Sequence, residues 1–373
     1  MITLTTPKIL VAMSGGVDSS VTAHILKTQG ANCVGAMMKL YTNDNLPPEL
    51  SSKTCCSLDD AEDARQTANS MGIPFYLFNF TDTFDQAVMS RFVTAYQNGH
   101  TPNPCIDCNR FLKFERFLHR ASELECTHIA TGHYARIQEC TNGRFLLKTG
   151  VDHTKDQSYV LYAMTQPQLS RTLLPLGALT KEEVRNIAEE QGFVNARKRD
   201  SQDICFAPDG DYAGFIKNYI GSVPEQEEPC AQPKCLTPGN FISPTGDILG
   251  THRGIIHYTI GQRKGLGISA PHPLFVLSMD TDNNTVTLGK SEELFSNTLH
   301  AHDINLIATD KLDGAIQVTA KIRYSHQAQP ATVWQTAADS LRIQFDTAQR
   351  AITPGQAVVL YDGDIVIGGG TIS

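Results

Sequence analysis

The sequence lacks the features of a membrane or secreted protein. Along its 373 residues there is no run of about 18 apolar residues, so an ordinary transmembrane helix is excluded. Residues 1–10 do not show the charged-then-apolar order of a signal peptide. No internal repeat or low-complexity tract is present either. We therefore expect a cytoplasmic protein with no membrane partner.

An excess of positive charge is also missing. The chain has 31 Lys and Arg against 39 Asp and Glu, a net charge of −8. Proteins that coat nucleic acid without specificity are usually basic, so this class is not favoured. A nucleic-acid enzyme with a local basic face remains compatible, because only the contact surface must meet phosphates.

Cysteine, by contrast, is plentiful. Ten cysteines in a cytosolic chain are more typical of catalysis or metal binding than of a disulfide framework. The length and the 41% hydrophobic content suit two or three domains with buried cores.

The first 200 or so residues alternate short apolar runs with amphipathic stretches, which is typical of an α/β fold with a parallel sheet. Helices are predicted over Val17–Thr28, after a capping box at Ser57 and Asp60, and after another at Thr180 and Glu183. The predicted strands are Lys8–Met13, Asn32–Met38, Phe75–Phe80 and Thr127–Gly132.

The pattern changes after about Gly210. Residues 221–240 are rich in proline and resemble a linker or surface loop, and short strand-like runs follow. We predict a nucleotide-binding α/β domain over 1–210, a small β-rich domain over 211–282 and a β-barrel over 283–373.

The strongest local pattern is Ser-Gly-Gly-Val-Asp-Ser-Ser at 14–20, between the first strand and the first helix. Glycines allow a phosphate to approach the backbone, and the N–H groups at the helix start attract its charge. Asp18 is a candidate magnesium ligand. The Gly-Lys-Ser/Thr ending of the kinase P-loop is absent, and the loop resembles that of ATP pyrophosphatases, which include amide-forming synthetases and tRNA thiolases.

Two cysteine segments are candidates for reactivity. Cys105 and Cys108 form a Cys-x-x-Cys pair ahead of a helix predicted from Asn109 to His119, so Cys108 is expected near a helix N-terminus, where Arg110 would favour its thiolate. Cys205 follows a basic stretch at 197–199. An alternative is half of a zinc site, completed by Cys55 and Cys56 or by Cys230 and Cys235.

A series of motifs in order resembles the bacterial tRNA-specific 2-thiouridylases, the MnmA family, nearly end to end. The motifs are the loop at 14–20, Thr-Pro-Asn-Pro and Cys-Asn within 101–109, Ala-Thr-Gly-His-Tyr at 130–134, Lys-Asp-Gln-Ser-Tyr at 155–159, Ile-Cys-Phe at 204–206, Thr-Ile-Gly-Gln-Arg-Lys-Gly-Leu at 259–266, Arg-Tyr at 323–324 and Thr-Pro-Gly-Gln at 353–356. The resemblance implies an adenine nucleotide α-hydrolase-like fold for the first domain.

The resemblance also implies a reaction: ATP-dependent 2-thiolation of the wobble uridine (U34) in tRNAs for Lys, Glu and Gln. ATP, with Mg2+, would adenylate the C2 oxygen of the uridine. Cys205 would carry a persulfide supplied by a cysteine desulfurase or a sulfur-relay protein, and Cys108 would release its sulfur through a disulfide. A route in which Cys108 first frees hydrosulfide stays open.

The resemblance further implies two sets of binding residues. Those expected at the nucleotide are Ala12, Met13, Ser14, Gly15, Gly16, Val17, Asp18, Ser19, Met38 and Gly132. Those expected at the tRNA are Asn103, Pro104, Cys105, His133, Lys155, Asp156, Gln157, Arg323, Tyr324 and Gln356.

Cys105 departs from the family pattern, which often has aspartate there. An iron–sulfur cluster on Cys105, Cys108 and Cys205 is therefore an open alternative. An amide-forming ATP pyrophosphatase and a catalytically inactive tRNA-binding or sulfur-carrier protein are the other functions kept open.

Overall fold

The computed structural model of the protein describes residues 7–41, 58–198, 204–222 and 233–373. Within these ranges no helix has the length and apolar character needed to cross a membrane.

The N-terminal part is an α/β fold around a five-stranded parallel sheet, as predicted. The strands are β1 (Lys8–Ala12), β2 (Asn32–Lys39), β3 (Phe75–Asn79), β4 (His128–Ala130) and β7 (Thr172–Leu173), in the order β3-β2-β1-β4-β7. The three middle residues of β1 are buried, because helices cover both faces of a parallel sheet. Strands β1 to β4 confirm the predicted segments to within a few residues at each end.

Helices surround this sheet. Their bounds are α1 (Val17–Thr28), α2 (Leu58–Ser70), α3 (Thr81–Phe84, Asp85–Met89 and Ser90–Gln97 in one run), α4 (Pro104–Asp107, Cys108–Arg116 and Phe117–Glu123 in one run), α5 (Ser158–Leu161), α6 (Gln166–Leu169), α7 (Lys181–Glu190) and α8 (Tyr212–Ser222). Helix α1 has the predicted bounds, and the Thr180–Glu183 capping box of α7 is confirmed. The cap predicted at Ser57 lies outside the described residues.

Helix α4 begins earlier than predicted, which corrects the position of Cys108. Pro104 is the first helical residue, and the Asn103 side chain caps the helix by accepting a hydrogen bond of 3.1 Å from the Cys105 N–H. The Cys108 N–H donates to the carbonyls of Pro104 and Cys105, so it is not an open helix-terminal donor. The middle of α4, Cys108–Arg116, has π-helical i→i+5 hydrogen bonding.

Two β-sheets follow. The central sheet has the order β10-β11-β8-β9, from strands β8 (Gly239–Ile242), β9 (Ile248–His252), β10 (Phe275–Asp280) and β11 (Thr285–Gly289). The C-terminal strands are β12 (Phe295–Leu306), β13 (Ile316–Lys321), β14 (Gln329–Ala337), β15 (Ser340–Arg350), β16 (Ala357–Asp362) and β17 (Ile365–Ile372). Pairing of β12 with both β15 and β17 closes these six into a barrel, confirming the predicted barrel.

One hairpin joins the N-terminal half to the barrel. Strands β5 (Ala135–Glu139) and β6 (Phe145–Thr149) extend the barrel sheet, because Lys148 of β6 pairs with Ile365 of β17. The sequence had not indicated this hairpin. Of the predicted linker, 221–240, residues 223–232 lie outside the described ranges, and a short helical turn, Lys234–Leu236, follows them.

The barrel also fixes the start of α4. The Thr101 N–H donates to the Pro354 carbonyl at 2.9 Å, and Gln356 Nε2 donates to the Thr101 carbonyl at 2.7 Å. Further along α4, Arg110 makes a two-pronged ion pair with Asp303 of β12. Arg110 is therefore paired with a carboxylate of the barrel, and its expected effect on the Cys108 thiolate stays a prediction.

Candidate active site

The loop between β1 and α1 is held by its own hydrogen bonds. Ser19 Oγ accepts from the Ser14 N–H at 3.1 Å and donates to the Gly16 carbonyl at 2.9 Å. Gly15 has φ +74°, and a Cβ there would lie 2.3 Å from the Asp60 carbonyl oxygen of α2. Only glycine fits this position, so the loop stays open at the N-terminus of α1, where an anion is favoured.

The carboxylate of Asp18 is bound by two side chains. Lys181 Nζ contacts Oδ1 and Oδ2 of Asp18 at 2.7 and 2.9 Å, and the Tyr134 hydroxyl donates to Oδ1 at 2.7 Å. Sequence reasoning missed Lys181, because its position as the first residue of α7 does not reveal which strand end it faces. Asp18, expected as a magnesium ligand, is thus an ion-pair partner in this structure.

Two further residues stabilise the loop and the adjacent helix α2, and sequence reasoning missed both. Asn195 Nδ2 donates to the Gly15 carbonyl at 3.0 Å and to Ser20 Oγ at 2.9 Å. Lys198 Nζ contacts carboxylate oxygens of Asp60 and Asp63 at 2.6 and 2.7 Å. These contacts join residues far apart in sequence, so no local pattern could have indicated them.

A cavity of about 330 Å3 lies beside the loop and brings the two candidate regions together. Of the predicted site residues, it is lined by Ala12, Met13, Ser14, Asp18, Ser19, Met38, Gly132, Pro104, Cys105, Cys108, His133, Gln157 and Cys205. Residues that were not predicted as site residues also line it: Met37, Leu40, Phe84, Val88, Lys113, Thr131, Ile204 and Phe206. Segments about a hundred residues apart in sequence therefore share one chamber.

Three predicted nucleotide residues do not line the cavity. Gly15 and Gly16 form the turn of the loop, and the side chain of Val17 is buried in a hydrophobic cluster with Val21 and Val184. These three residues shape the loop through their backbone, while Ser14, Asp18 and Ser19 line the chamber.

The cysteines of the chamber differ in exposure. Cys105 is exposed, and Cys108 and Cys205 are half-buried. The Tyr41 hydroxyl donates to the Cys205 carbonyl at 2.8 Å, and the adjacent Phe206 packs into an aromatic cluster with Phe84, Phe92 and Phe215. None of the seven cysteines within the described ranges forms a disulfide.

Comparison with known proteins identifies the family. Residues 7–209 match the model described as the tRNA methyl transferase HUP domain, 232–290 the tRNA methyl transferase PRC-barrel domain, and 296–372 the aminomethyltransferase β-barrel domain. The tRNA-specific 2-thiouridylase MnmA of Clostridioides difficile is 48% identical over 366 residues, 98% of each chain. That of Acetivibrio thermocellus is 49% identical over 366 residues, 98% of this chain and 99% of the relative. This chain belongs to the tRNA-specific 2-thiouridylase (MnmA) family.

Solved structures overlap the chain only weakly. A 4-thiouridine synthetase–RNA complex with bound ATP is 16% identical and covers 58% of this chain and 50% of its own, with a TM-score of 0.30. An overlap of this size adds nothing to the family assignment.

Metal binding by the cysteines is not supported. In the part of the chain that the structure describes, no three His, Cys, Asp or Glu side chains are arranged to hold a metal ion. Cys105, Cys108 and Cys205 all lie in that part, so the structure does not support the iron–sulfur cluster considered for them. Of the cysteines considered for a zinc site, Cys235 is buried in the central region, while 55, 56 and 230 lie outside the described residues.

His133 is a neutral member of the chamber wall. Its Nδ1 shares a hydrogen bond of 2.7 Å with Thr131 Oγ1, and its ring packs near Phe114. Burial, with the nearby positive charge of Lys113, holds the pKa of His133 well below its usual 6.5. The imidazole is therefore uncharged at neutral pH and acts as a hydrogen-bonding group.

Several of the expected tRNA residues have partners within the protein. Asp156 accepts hydrogen bonds from the Gly150 N–H at 3.0 Å and the Ser158 hydroxyl at 2.8 Å, and the Tyr324 hydroxyl donates to its carbonyl at 3.2 Å. Gln157 Oε1 accepts from the Tyr134 N–H at 3.0 Å. The structure thus places the 155–157 turn next to Tyr324, while the side chain of Gln356 is engaged with Thr101.

Proposed function

We propose that this chain transfers sulfur to C2 of a tRNA uridine at the expense of ATP. The single observation that carries the proposal is the shared chamber, which is lined by Ser14 and Ser19 of the phosphate loop and by Cys108 and Cys205. The near full-length relatives named tRNA-specific 2-thiouridylases support the same reaction.

The first step uses the loop. The backbone N–H groups at the start of α1 bind the phosphates of ATP, and the uridine O2 attacks the α-phosphorus with release of pyrophosphate. The adenylated oxygen then leaves C2 as AMP, a far better leaving group than the free oxygen. ATP enters as its magnesium complex and so brings the metal as part of the substrate. Asp18, the expected magnesium ligand, is bound by Lys181 and Tyr134 in this structure.

The second step uses the cysteines. A persulfide on Cys205 attacks C2 through its terminal sulfur, and AMP departs with the electron pair of the C–O bond. The Cys108 thiolate then attacks the inner sulfur of Cys205, which leaves the outer sulfur on the base and forms a Cys108–Cys205 disulfide. If Cys108 instead frees hydrosulfide before attack on C2, the same disulfide forms, and in both routes an external dithiol must reduce it.

The partners follow from the family. We propose the wobble uridine (U34) of the Lys, Glu and Gln tRNAs as substrate, and a cysteine desulfurase or sulfur-relay protein as donor. Asn103, Pro104 and Cys105 would meet the flipped base. Lys155, Arg323 and the exposed face of Tyr324 would meet the backbone and adjacent bases. The division at 1–210, 211–282 and 283–373 is proposed with it.

The test is a reconstituted reaction. The protein, Mg-ATP, unmodified tRNA and a cysteine desulfurase with cysteine are incubated, and digested RNA is analysed for 2-thiouridine by mass spectrometry. Product should require ATP and be absent in Cys108→Ala and Cys205→Ala. Cys140→Ala is the matched control, because Cys140 is half-buried but does not line the chamber.

The same assay separates the alternatives. Pyrophosphate release should persist for at least one turnover in the cysteine variants, because adenylation does not use the thiols, whereas release of AMP requires sulfur to displace it from C2. Full activity in the Cys108→Ala/Cys205→Ala double variant, tested with ammonia, would favour amide formation instead. Methyl incorporation from S-adenosylmethionine is measured in parallel, because two of the matched family descriptions name methyl transfer.

A further inference from the structure

A lysine on α4 faces the chamber together with Cys108. Lys113 follows Cys108 by five residues in the π-helical part of the helix, where i→i+5 hydrogen bonding places residues five apart on nearly the same face. Both side chains line the chamber, and Lys113 is half-buried. Its ammonium group is therefore held near the reaction space by the helix that carries the cysteine.

Among the residues that the structure describes, Lys113 differs from the neighbouring cations in having no counterion. Within the described ranges it makes no ion pair and no hydrogen bond, and it is the only Lys or Arg that lines the chamber. Lys181, Lys198 and Arg110 are each paired with carboxylates. A partly desolvated ammonium is unfavourable without an anion, so the arrangement suits an anion that arrives with a ligand.

The position of the Lys113 charge indicates which anion it binds. Lys113 is close enough to the buried His133 to act on it electrostatically. The preceding residue, Gly132, lies against the phosphate loop, since a Cβ there would be 3.0 Å from the Asp18 backbone carbon and 3.1 Å from the Ser19 nitrogen. Lys113 therefore lines the same chamber as the phosphate loop and Cys108, and its charge acts on the wall residue next to that loop.

We propose that Lys113 is a further catalytic residue, which binds the α-phosphate of the adenylated uridine and stabilises the charge that AMP gains as the C2–O bond breaks. This inference rests on the proposed function for the identity of the leaving group. A fixed cation in a water-poor site is effective because it needs no reorganisation as the charge develops.

The test measures AMP binding and sulfur transfer separately. Isothermal titration of AMP is compared for the wild type, Lys113→Met, Lys113→Arg and Arg116→Met. Arg116 is the control, because it is an exposed cation on the same helix that does not line the chamber. Thermal melting verifies that each variant is folded.

Lys113→Met should weaken AMP binding by about tenfold or more, the usual effect of losing a charged hydrogen bond. It should slow single-turnover thiolation by about 100-fold, as for other lost transition-state donors. Lys113→Arg should keep most of the AMP affinity. Arg116→Met should leave AMP affinity and rate unchanged, apart from a small loss of tRNA affinity.

The outcomes separate this inference from the proposed function. Unchanged AMP affinity in Lys113→Met would overturn the inference even if thiolation fell. If Lys113→Met binds AMP more weakly but the wild type forms no 2-thiouridine, thiolation is refuted and the phosphate-binding role of Lys113 still holds. A shifted pH profile of Cys108 alkylation, with AMP affinity intact, would assign Lys113 to the sulfur and overturn the phosphate role.

Discussion

The ion pair between Lys181 and Asp18 should contribute measurably to stability. The Lys181 side chain is 10% exposed and that of Asp18 30% exposed. Breaking a fully buried pair by removing one partner typically costs about 3–5 kcal/mol, because the remaining charge is left uncompensated. Since Asp18 retains the Tyr134 hydrogen bond and some contact with water, we expect Lys181→Met to cost about 2 kcal/mol. For a domain of this size that lowers the melting temperature by about 4–8 °C.

A double-mutant cycle tests this reasoning. Melting and urea unfolding are followed by far-UV circular dichroism for Lys181→Met, Asp18→Asn and the double variant, and the coupling should be about 1–3 kcal/mol. Lys311→Met is the control, because its pair with Asp313 is 71% and 80% exposed and water screens it, so its loss should leave the stability nearly unchanged. A Lys181→Met protein that melts within a degree of the wild type, or a cycle without coupling, would refute the argument.

Three further predictions concern the loop, the histidine and the barrel contact. Gly15→Ala should weaken ATP binding at least tenfold by calorimetry, because its Cβ would meet backbone at 2.3 Å. Gly30→Ala, also at positive φ but with nothing within 4 Å, should leave ATP binding intact. Because the pKa of His133 is lowered in the folded state, the unfolded chain binds more protons than the folded protein below about pH 6.5. The free energy of unfolding should therefore fall as the pH drops below that value. Urea titrations at several pH values should show a shallower fall for His133→Asn. Gln356→Ala should cost about 1 kcal/mol of stability, because the Gln356 amide is bonded to the Thr101 carbonyl. The tRNA Kd measured by filter binding should change less than about twofold. A large loss of tRNA affinity would instead show that Gln356 contacts the RNA.

Local patterns predicted the elements that local forces determine. Helix α1 and the strands before and after it follow from an apolar run, a glycine-rich turn and a glycine at the helix end. The hairpin β5–β6 was missed, because its strands are only partly buried and depend on the barrel for their pairing partner. The barrel was predicted from its short apolar runs, although β12 and β15 proved to be long strands of 12 and 11 residues.

The start of α4 was misplaced for a different reason. The helix was predicted to begin at Asn109, yet proline is favoured at the first helical position and asparagine just before it. The sequence Asn103-Pro104 was therefore an available indication of a helix start. The same oversight put Cys108 at a helix terminus rather than in its second turn.

Motif residues of the site were predicted, whereas the residues that hold them were not. The loop and the cysteines are recognisable because each carries its chemistry within a few adjacent positions. Lys181, Asn195 and Lys198 act on the loop only through tertiary contacts, which a single sequence does not reveal.

The barrel therefore contributes to the chamber without lining it. Gln356 and Pro354 hold Thr101 ahead of α4, and Asp303 holds Arg110 two residues after Cys108. These contacts lie before and after Cys108 along the chain, so the barrel helps to hold the segment that carries this cysteine. In the proposed function, tRNA engages the barrel and the 155–157 turn. The same barrel already holds the segment that carries Cys108. This arrangement would lower the conformational cost of bringing uridine, phosphate and sulfur together.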